Sequence, residues 1–253
     1  MAIYLSVVSH NNDELIEENF ASLPPMIGDE KFIISIVDNT SSKKLEKICT
    51  KNNLLYYSDG KRRGYGENNN LNFKKLNPGP DDIFIVCNPD IILIIEYLEF
   101  IFEKFRKSSS SIYGIKIFES KDLSKFSSHN RKFPALLDPM ISLIFKKKLF
   151  EKNADISANP DWIGGGFMIF KTNVFRELNG FDNRYFMYYE DVDICHRAKK
   201  KGMEITYDPS FYVVHEAKRA GRKIFSQSFF YNLISMIKYF SRFPTLRLVT
   251  ISK

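Results

Sequence analysis

Short β-rich runs ending in polar residues alternate with helical patterns through the first part of the chain, and this alternation constrains the fold more than any other feature. IYLSVV (3–8), FIISIV (32–37), LLYYS (54–58) and DIFIVC (82–87) read as strands. An amphipathic stretch at 13–22, then SSKKLEKICTK and finally EYLEFIFEKFRK carry apolar residues at helical spacing. Such alternation predicts an α/β fold whose mostly parallel central sheet is covered by helices on both faces. Ligands of these sheets sit beyond the carboxyl ends of the strands. The polar run ends Ser9–His10, Asp38–Asn39 and Asn88–Asp90 are therefore the first candidates for chemistry.

Between 108 and 160 the pattern loosens into SSSS, scattered basic residues, Pro134, Pro139 and KKK at 146–148, read as a variable connection with one helix near 136–150. Regular structure returns with DWIGGGFMIFK, a strand opened by glycines, then a helix at 172–178, a turn at Asn179–Gly180 and the segment FMYYEDVDICHRAKKKG. No internal repeat is present. The expected division is a catalytic domain over 1–216 and a basic amphipathic helical tail over 217–253, consistent with a length of 253 residues.

Hydrophobic residues make up 44% and charged residues 26% of the chain, which excludes an intrinsically disordered protein. Cys49, Cys87 and Cys195 are widely spaced and form no CxxC pair, so a reducing cytoplasm is expected. The N-terminus shows no signal-peptide pattern, and the most apolar stretch, from Ile91, is broken by Glu96 and Glu99. A net charge of +7 calls for an anionic partner. After Glu216 there is no acid, while Lys218, Arg219, Arg222, Lys223, Lys238, Arg242, Arg247 and Lys253 follow. In the tail, Phe225, Phe229, Phe230, Leu233, Ile234, Ile237 and Phe240 recur at helical spacing, with Lys238 and Arg242 toward the other side. Such a helix suits an anionic membrane surface, but also packing on the domain or on a second subunit in a homodimer.

Several constellations carry chemistry. Asp90, after DIFIVC, projects at the carboxyl edge of the sheet, where a carboxylate can hold a divalent cation against a diphosphate; a strand-ending turn is the competing reading. Glu190, Asp191 and Asp193 crowd one helix start, which fits either dipole complementation or a general base toward a hydroxyl. Asp38 suits a nucleobase or ribose contact, or a turn. Gly64-Tyr65-Gly66 opens a helix in a loop that permits close approach to a ligand, without P-loop spacing. Trp162 beside Gly164, Gly165 and Gly166 could stack on a sugar or sit in the core. His215 ends FYVVH and is either a metal ligand or structural, and no zinc-hydrolase spacing involves His10, His129 or His196.

In order, VVSHNN, VDN (37–39), GYGENNN (64–70), NPD (88–90), WIGGGFMIF (162–170), GFD-x-x-YFMYYEDVDICHR (180–197) and PSFYVVH (209–215) resemble the family-2 glycosyltransferases of the Rossmann-like GT-A fold. The similarity covers roughly 3–216 and is to the bacterial rhamnosyltransferases of O-antigen and cell-wall assembly. It implies that Asp191 is the catalytic base and that Asp90 and His215 hold Mg²⁺ or Mn²⁺. It implies that Asp38 recognises the nucleotide and that Asn69 and Asn70 lie beside the donor; with Ser9, Gly64 and Asp90 they are the donor-side candidates, while Trp162, Gly164, Gly165 and Glu190 are the candidates for the acceptor side. Asn88 stands where the pattern's first acid would be, and Asn72 where glycine is frequent. The implied reaction is inverting transfer from dTDP-L-rhamnose to an N-acetylglucosamine-diphospho-polyprenol, by a peripheral protein on the inner face of the cell membrane.

Other readings stay open at this level. Within the enzymes these are transfer of galactofuranose or a hexose from a UDP donor, and nucleotidyl transfer. Outside them are an inactive scaffold and a basic RNA-binding protein. The last lacks an RRM aromatic signature or KH loop, so no nucleic acid is expected as partner.

Overall fold

The computed structural model describes residues 1–127, 131–136, 138, 158–215 and 227–245. The expected helix near 136–150, His129 and the basic residues 218–223 lie outside these residues.

Among the described residues ten strands form one sheet. The first half supplies β1 (Ala2–Ser9), β2 (Met26–Ile27), β3 (Glu30–Asp38), β4 (Leu55–Tyr57), β5 (Ile83–Cys87) and β6 (Ile91–Ile92). Then come β7 (Ile112–Phe118), β8 (Phe126–Ser127), β9 (Phe167–Lys171) and β10 (Ile205–His215). The path runs β2-β3-β1-β5-β9-β7-β10-β6, with β4 on β3 and β8 on β7. Strands β1, β3, β4, β5, β7 and β10 point one way, and β9 is inserted antiparallel between β5 and β7.

Helices cover both faces: α1 (Asp13–Phe20), α2 (Lys43–Lys51), α3 (Tyr65–Leu76), α4 (Ile95–Lys107), α5 (Thr172–Glu177), α6 (Glu190–Lys200) and α7 (Gln227–Arg242). Strand β5 shows how two cores arise from one sheet. Ile83, Ile85 and Cys87 point into the core beneath α1, α2 and α4, while Phe84 and Val86 point into the core beneath α5 and α6. Each strand residue alternates between cores, and both are apolar because both faces are covered.

Strand β7 lies inside the stretch read from sequence as a variable connection, yet it occupies the middle of the sheet between β9 and β10. Its Gly114 is needed for packing: a side chain there would approach Ile163 to 2.8 Å. Helix α3 meets β1 and β3 through polar side chains. Ser6 donates to Asn69 at 2.7 Å, Ser35 donates to Asn72 at 2.6 Å, and Asn72 donates back to Ser6 at 2.8 Å. These groups are buried, so each satisfied bond avoids the desolvation penalty of an unpaired one. Asn72, where the family pattern often has glycine, is thus accommodated by two serines of the sheet.

Candidate active site

The acid cluster at the start of α6 separates into distinct roles. Asp193 is fully buried and paired with Arg197 at 2.6 Å, one helical turn on, and with Arg242 at 3.1 Å. Arg197 also donates to the carbonyls of Leu178 and Gly180, so this pair fixes the helix to the preceding loop. Asp191 instead faces a glycine turn: the Gly165 amide donates to its Oδ2 at 2.9 Å, and its own helix start supplies the Val192 amide to Oδ1 at 2.9 Å. A Cβ on Gly165 would lie 3.2 Å from that of Asp191, so the contact depends on glycine. Tyr65 donates to the Gly165 carbonyl at 2.9 Å, holding the same turn from α3.

Glu190 is 6% exposed, and its Oε2 has no partner among the described residues. Burial, and then the neighbouring Asp191 charge, push its carboxyl above the ordinary range. Burial also raises Asp191, opposed by the amides of Gly165 and Val192 and by the charge of Arg131. Asp191 has the larger set of groups that favour its anion, the amides of Gly165 and Val192 with the charge of Arg131, while Glu190 has one backbone donor. The turn before them is conformationally costly: Tyr188 and Tyr189 both have positive φ, 68° and 67°.

The glycine turn also reaches the edge of β5. Asn88 donates its amide to the Gly166 carbonyl at 2.9 Å, and the chain then enters β6, which pairs antiparallel with the end of β10 so that Ile91 faces His215. This register brings the sequence-distant Asp90 and His215 together, His215 Nε2 lying 2.9 Å from Asp90 Oδ1. Both are about a quarter exposed, at 24% and 25%. Among the described residues no cluster of three or more His, Cys, Asp or Glu could hold a metal. A carboxylate oxygen and an imidazole nitrogen on one open edge are donors that a divalent cation can take as two of its ligands.

At the neighbouring edge, Asp38 pairs in register with Ser9. Asp38 accepts from the Thr40 amide at 2.9 Å, the Ser42 amide at 2.7 Å and the Tyr56 hydroxyl at 3.0 Å, and is 2% exposed. The Ser9 hydroxyl is buried with no partner among the described residues. Asn69 is buried between Ser6 and the Tyr65 carbonyl. Asn70 clamps the 181–183 loop, bonding both the amide and the carbonyl of Phe181. The close approach at Gly64 is to protein: a Cβ there would lie 2.3 Å from the Phe186 carbonyl oxygen. Trp162 is 7% exposed, donates to the Lys132 carbonyl at 2.8 Å and lies under Arg131, 4.8 Å from its ring centre. Its indole is inside the fold, behind the buried Gly164.

Sequence reading did not find Arg131, nor the contacts that Tyr65 and α7 make with the glycine turn and the 186–189 segment. Helix α7 grips the segment leading to the acid pair. Tyr231 packs tilted on Phe186 with ring centres 4.7 Å apart, Ser235 donates to the Met187 carbonyl at 2.8 Å, and Tyr239 lies 5.4 Å from Tyr189. The aromatic run 186–189 was visible; its partners lie in a helix some 45 residues later, as the separation of 48 between Ser235 and Met187 shows.

A family model described as the N-terminal domain of galactosyltransferase matches residues 149–218. Rhamnosyltransferase WbbL of Escherichia coli (strain K12) is 33% identical over 251 residues, 95% of this chain and 93% of that protein. An N-acetylglucosaminyl-diphospho-decaprenol L-rhamnosyltransferase of Mycobacterium tuberculosis is 42% identical over 62 residues, 24% of this chain and 20% of that one. Among solved structures, a mannosyltransferase from Pyrobaculum calidifontis in complex with GDP-Man and Mn²⁺ superposes with a TM-score of 0.61 at 14% identity. The superposition covers 87% of this chain and 58% of that longer one, and its likeness is one of fold. By near full-length similarity to a rhamnosyltransferase, on a glycosyltransferase fold, the chain belongs to the rhamnosyltransferase branch of the GT-A glycosyltransferases.

Proposed function

We propose that the chain is an inverting rhamnosyltransferase that uses dTDP-L-rhamnose and an N-acetylglucosamine-diphospho-polyprenol acceptor at the cytoplasmic face of the membrane. The observation that carries the chemistry is the Asp191 carboxylate, held by the Gly165 amide at 2.9 Å. In a single displacement, an acceptor hydroxyl oxygen bonds to the anomeric carbon while its proton passes to Asp191. The bond from that carbon to the diphosphate breaks, and the leaving group keeps the electron pair. One displacement inverts the anomeric configuration.

Glu190, buried and protonated when Asp191 is ionised, is a hydrogen-bond donor for the acceptor; Gly164 and Gly165 let the acceptor approach, with Trp162 behind them. Ser9, Asp38, Gly64, Asn69 and Asn70 shape the donor side, Asp38 by fixing the 38–42 turn and the asparagines by anchoring α3. Asp90 and His215 would hold Mg²⁺ or Mn²⁺, which supplies charge neutralisation to the departing diphosphate. Asn88 in place of an acid lowers the negative charge there and leaves Asp90 the carboxylate ligand.

The test is a donor screen comparing dTDP-L-rhamnose with UDP-hexoses against a short polyprenol-diphosphate N-acetylglucosamine, with product anomers assigned by NMR. Transfer from dTDP-L-rhamnose with inverted configuration is expected. Preference for a UDP-hexose overturns the donor, and retained configuration overturns the mechanism.

A further inference from the structure

Helix α7 packs one side, with Tyr231, Ser235 and Tyr239, on the rest of the protein and turns an apolar stripe away. Facing inward, Ser235 donates to the Met187 carbonyl at 2.8 Å and the Tyr239 hydroxyl meets His196 Nδ1 at 2.8 Å. Lys238 donates to the Arg184 carbonyl at 2.5 Å, and Arg242 pairs with Asp182 and Asp193. Facing outward, Phe230, Leu233, Ile234 and Ile237 are 49%, 37%, 47% and 60% exposed. At helical spacing these four form one stripe. Docking onto the domain usually buries such a stripe, and here it has consumed the opposite side of the helix. A contiguous exposed apolar stripe marks an interaction surface.

Charge selects the occupant. The chain carries no acid after Glu216, and Lys218, Arg219, Arg222 and Lys223 stand shortly before the helix in sequence. A second copy of this chain carries the same net charge of +7, which opposes association of two copies. An anionic bilayer accepts the apolar stripe and the positive charge at once. No helix among the described residues is long and apolar enough to cross a membrane, so this one would lie in the interface.

We infer that the stripe Phe230, Leu233, Ile234 and Ile237 seats the protein on an anionic lipid surface. The inward side of the same helix holds Phe186, Met187 and Tyr189, immediately before Glu190 and Asp191. Docking therefore fixes the segment that carries the acid pair relative to the lipid surface. The value of that arrangement for a polyprenol-linked acceptor rests on the function proposed above; lipid binding itself does not.

The test is flotation of the full chain with vesicles of phosphatidylglycerol and phosphatidylethanolamine, against vesicles of phosphatidylcholine alone. Wild type should float with the anionic vesicles and lose binding as salt rises. The combined Phe230→Ser, Ile234→Ser and Ile237→Ser variant, all at outward positions, should bind at least about tenfold more weakly. As a second readout that leaves the stripe apolar, Ile237→Trp should give emission that shifts blue on anionic vesicles and is quenched by brominated lipid. The inference is overturned if wild type ignores anionic vesicles, if the triple variant floats as well as wild type, or if the tryptophan stays in water. It is equally overturned if wild type is a dimer that the triple substitution dissociates. Flotation involves no donor or acceptor, so docking and transfer can each fail while the other stands.

Discussion

The Gly165 amide donates to Asp191 Oδ2 at 2.9 Å, and a Cβ on Gly165 would stand only 3.2 Å from that of Asp191. The glycine thus supplies the amide and also leaves room for the carboxylate. Gly165→Ala should displace the carboxylate by a few tenths of an ångström and lower kcat by about tenfold to a hundredfold, the scale of misplaced catalytic groups. Asp191→Asn should lower kcat by at least about a hundredfold while nucleotide binding, followed by calorimetry, stays near wild type. Turnover of Asp191→Asn near the wild-type rate would remove Asp191 from its role as base. Glu190→Gln is the necessary comparison, and should be the milder of the two if Glu190 acts as a neutral donor.

Burial raises Glu190 above its ordinary value near 4.5, with Asp191 adding to the shift. The folded protein therefore keeps a proton that the unfolded chain has released, and the associated stability is present at and below that ordinary value. It is lost as pH rises toward the raised folded value. Glu190→Gln cannot ionise, so its melting temperature relative to wild type should climb as pH increases from about 4.5 upward. A difference that is flat with pH would show that Glu190 titrates normally.

Asp90 and His215 meet at 2.9 Å on the edge made by β6 and β10. Chelator should abolish transfer and Mg²⁺ or Mn²⁺ restore it, while Mn²⁺ binding in the presence of nucleotide, read by electron paramagnetic resonance, should be lost in Asp90→Asn and weakened at least about tenfold in His215→Ala. Full activity in chelator, or undiminished Mn²⁺ binding by both variants, would rule the site out.

The parts of the site legible in the sequence are those whose role is local. Asp90 follows an apolar strand and the acids 190–193 open a charged helix, positions that period and turn chemistry give, while the resemblance is what singles out Asp191 among them. What the sequence leaves undecided is set by distant partners. Three acids at the start of α6 look equivalent until Arg242, 49 residues from Asp193, claims that one for an ion pair. Strand β7 contains Gly114 and Lys116, which weaken its strand signal, and the glycine is required by Ile163 from another segment. Amphipathicity in α7 reveals two faces of the helix but not which one the domain covers, because that depends on whether the domain offers carbonyls and carboxylates or an apolar groove. It offers both: the Met187 and Arg184 carbonyls with Asp182 and Asp193, and an aromatic surface that includes Phe186 and Tyr189.

His196 links α6 to the end of α7. Its ring stacks on Phe243 at 3.8 Å between centroids and on Phe133 at 4.3 Å, and its Nδ1 meets the Tyr239 hydroxyl. Burial first, then the charge of Lys200 with a smaller contribution from Arg242, pushes its pKa down to about 4, against a partial upward pull from Asp161. The unfolded chain takes up this proton near its ordinary value of 6.5. Stability supplied by the neutral, stacked ring is therefore complete above that value and is lost progressively as pH falls from 6.5 toward 4. Carboxylates such as Asp182, held near 2 by Arg184 and Arg242 against the opposing effect of burial, lose their own contribution at lower pH, so the difference between two proteins isolates the histidine. His196→Phe keeps an aromatic ring between Phe133 and Phe243 and cannot be protonated. It gives up the bond to Tyr239, so it should be less stable than wild type at pH 8. The gap in melting temperature should then narrow between pH 6.5 and 4, and protection of α7 amides from hydrogen exchange should follow the same curve. A gap that stays constant over this range would mean that the histidine titrates alike in the folded and unfolded chains, and that the tail is held by contacts indifferent to its charge.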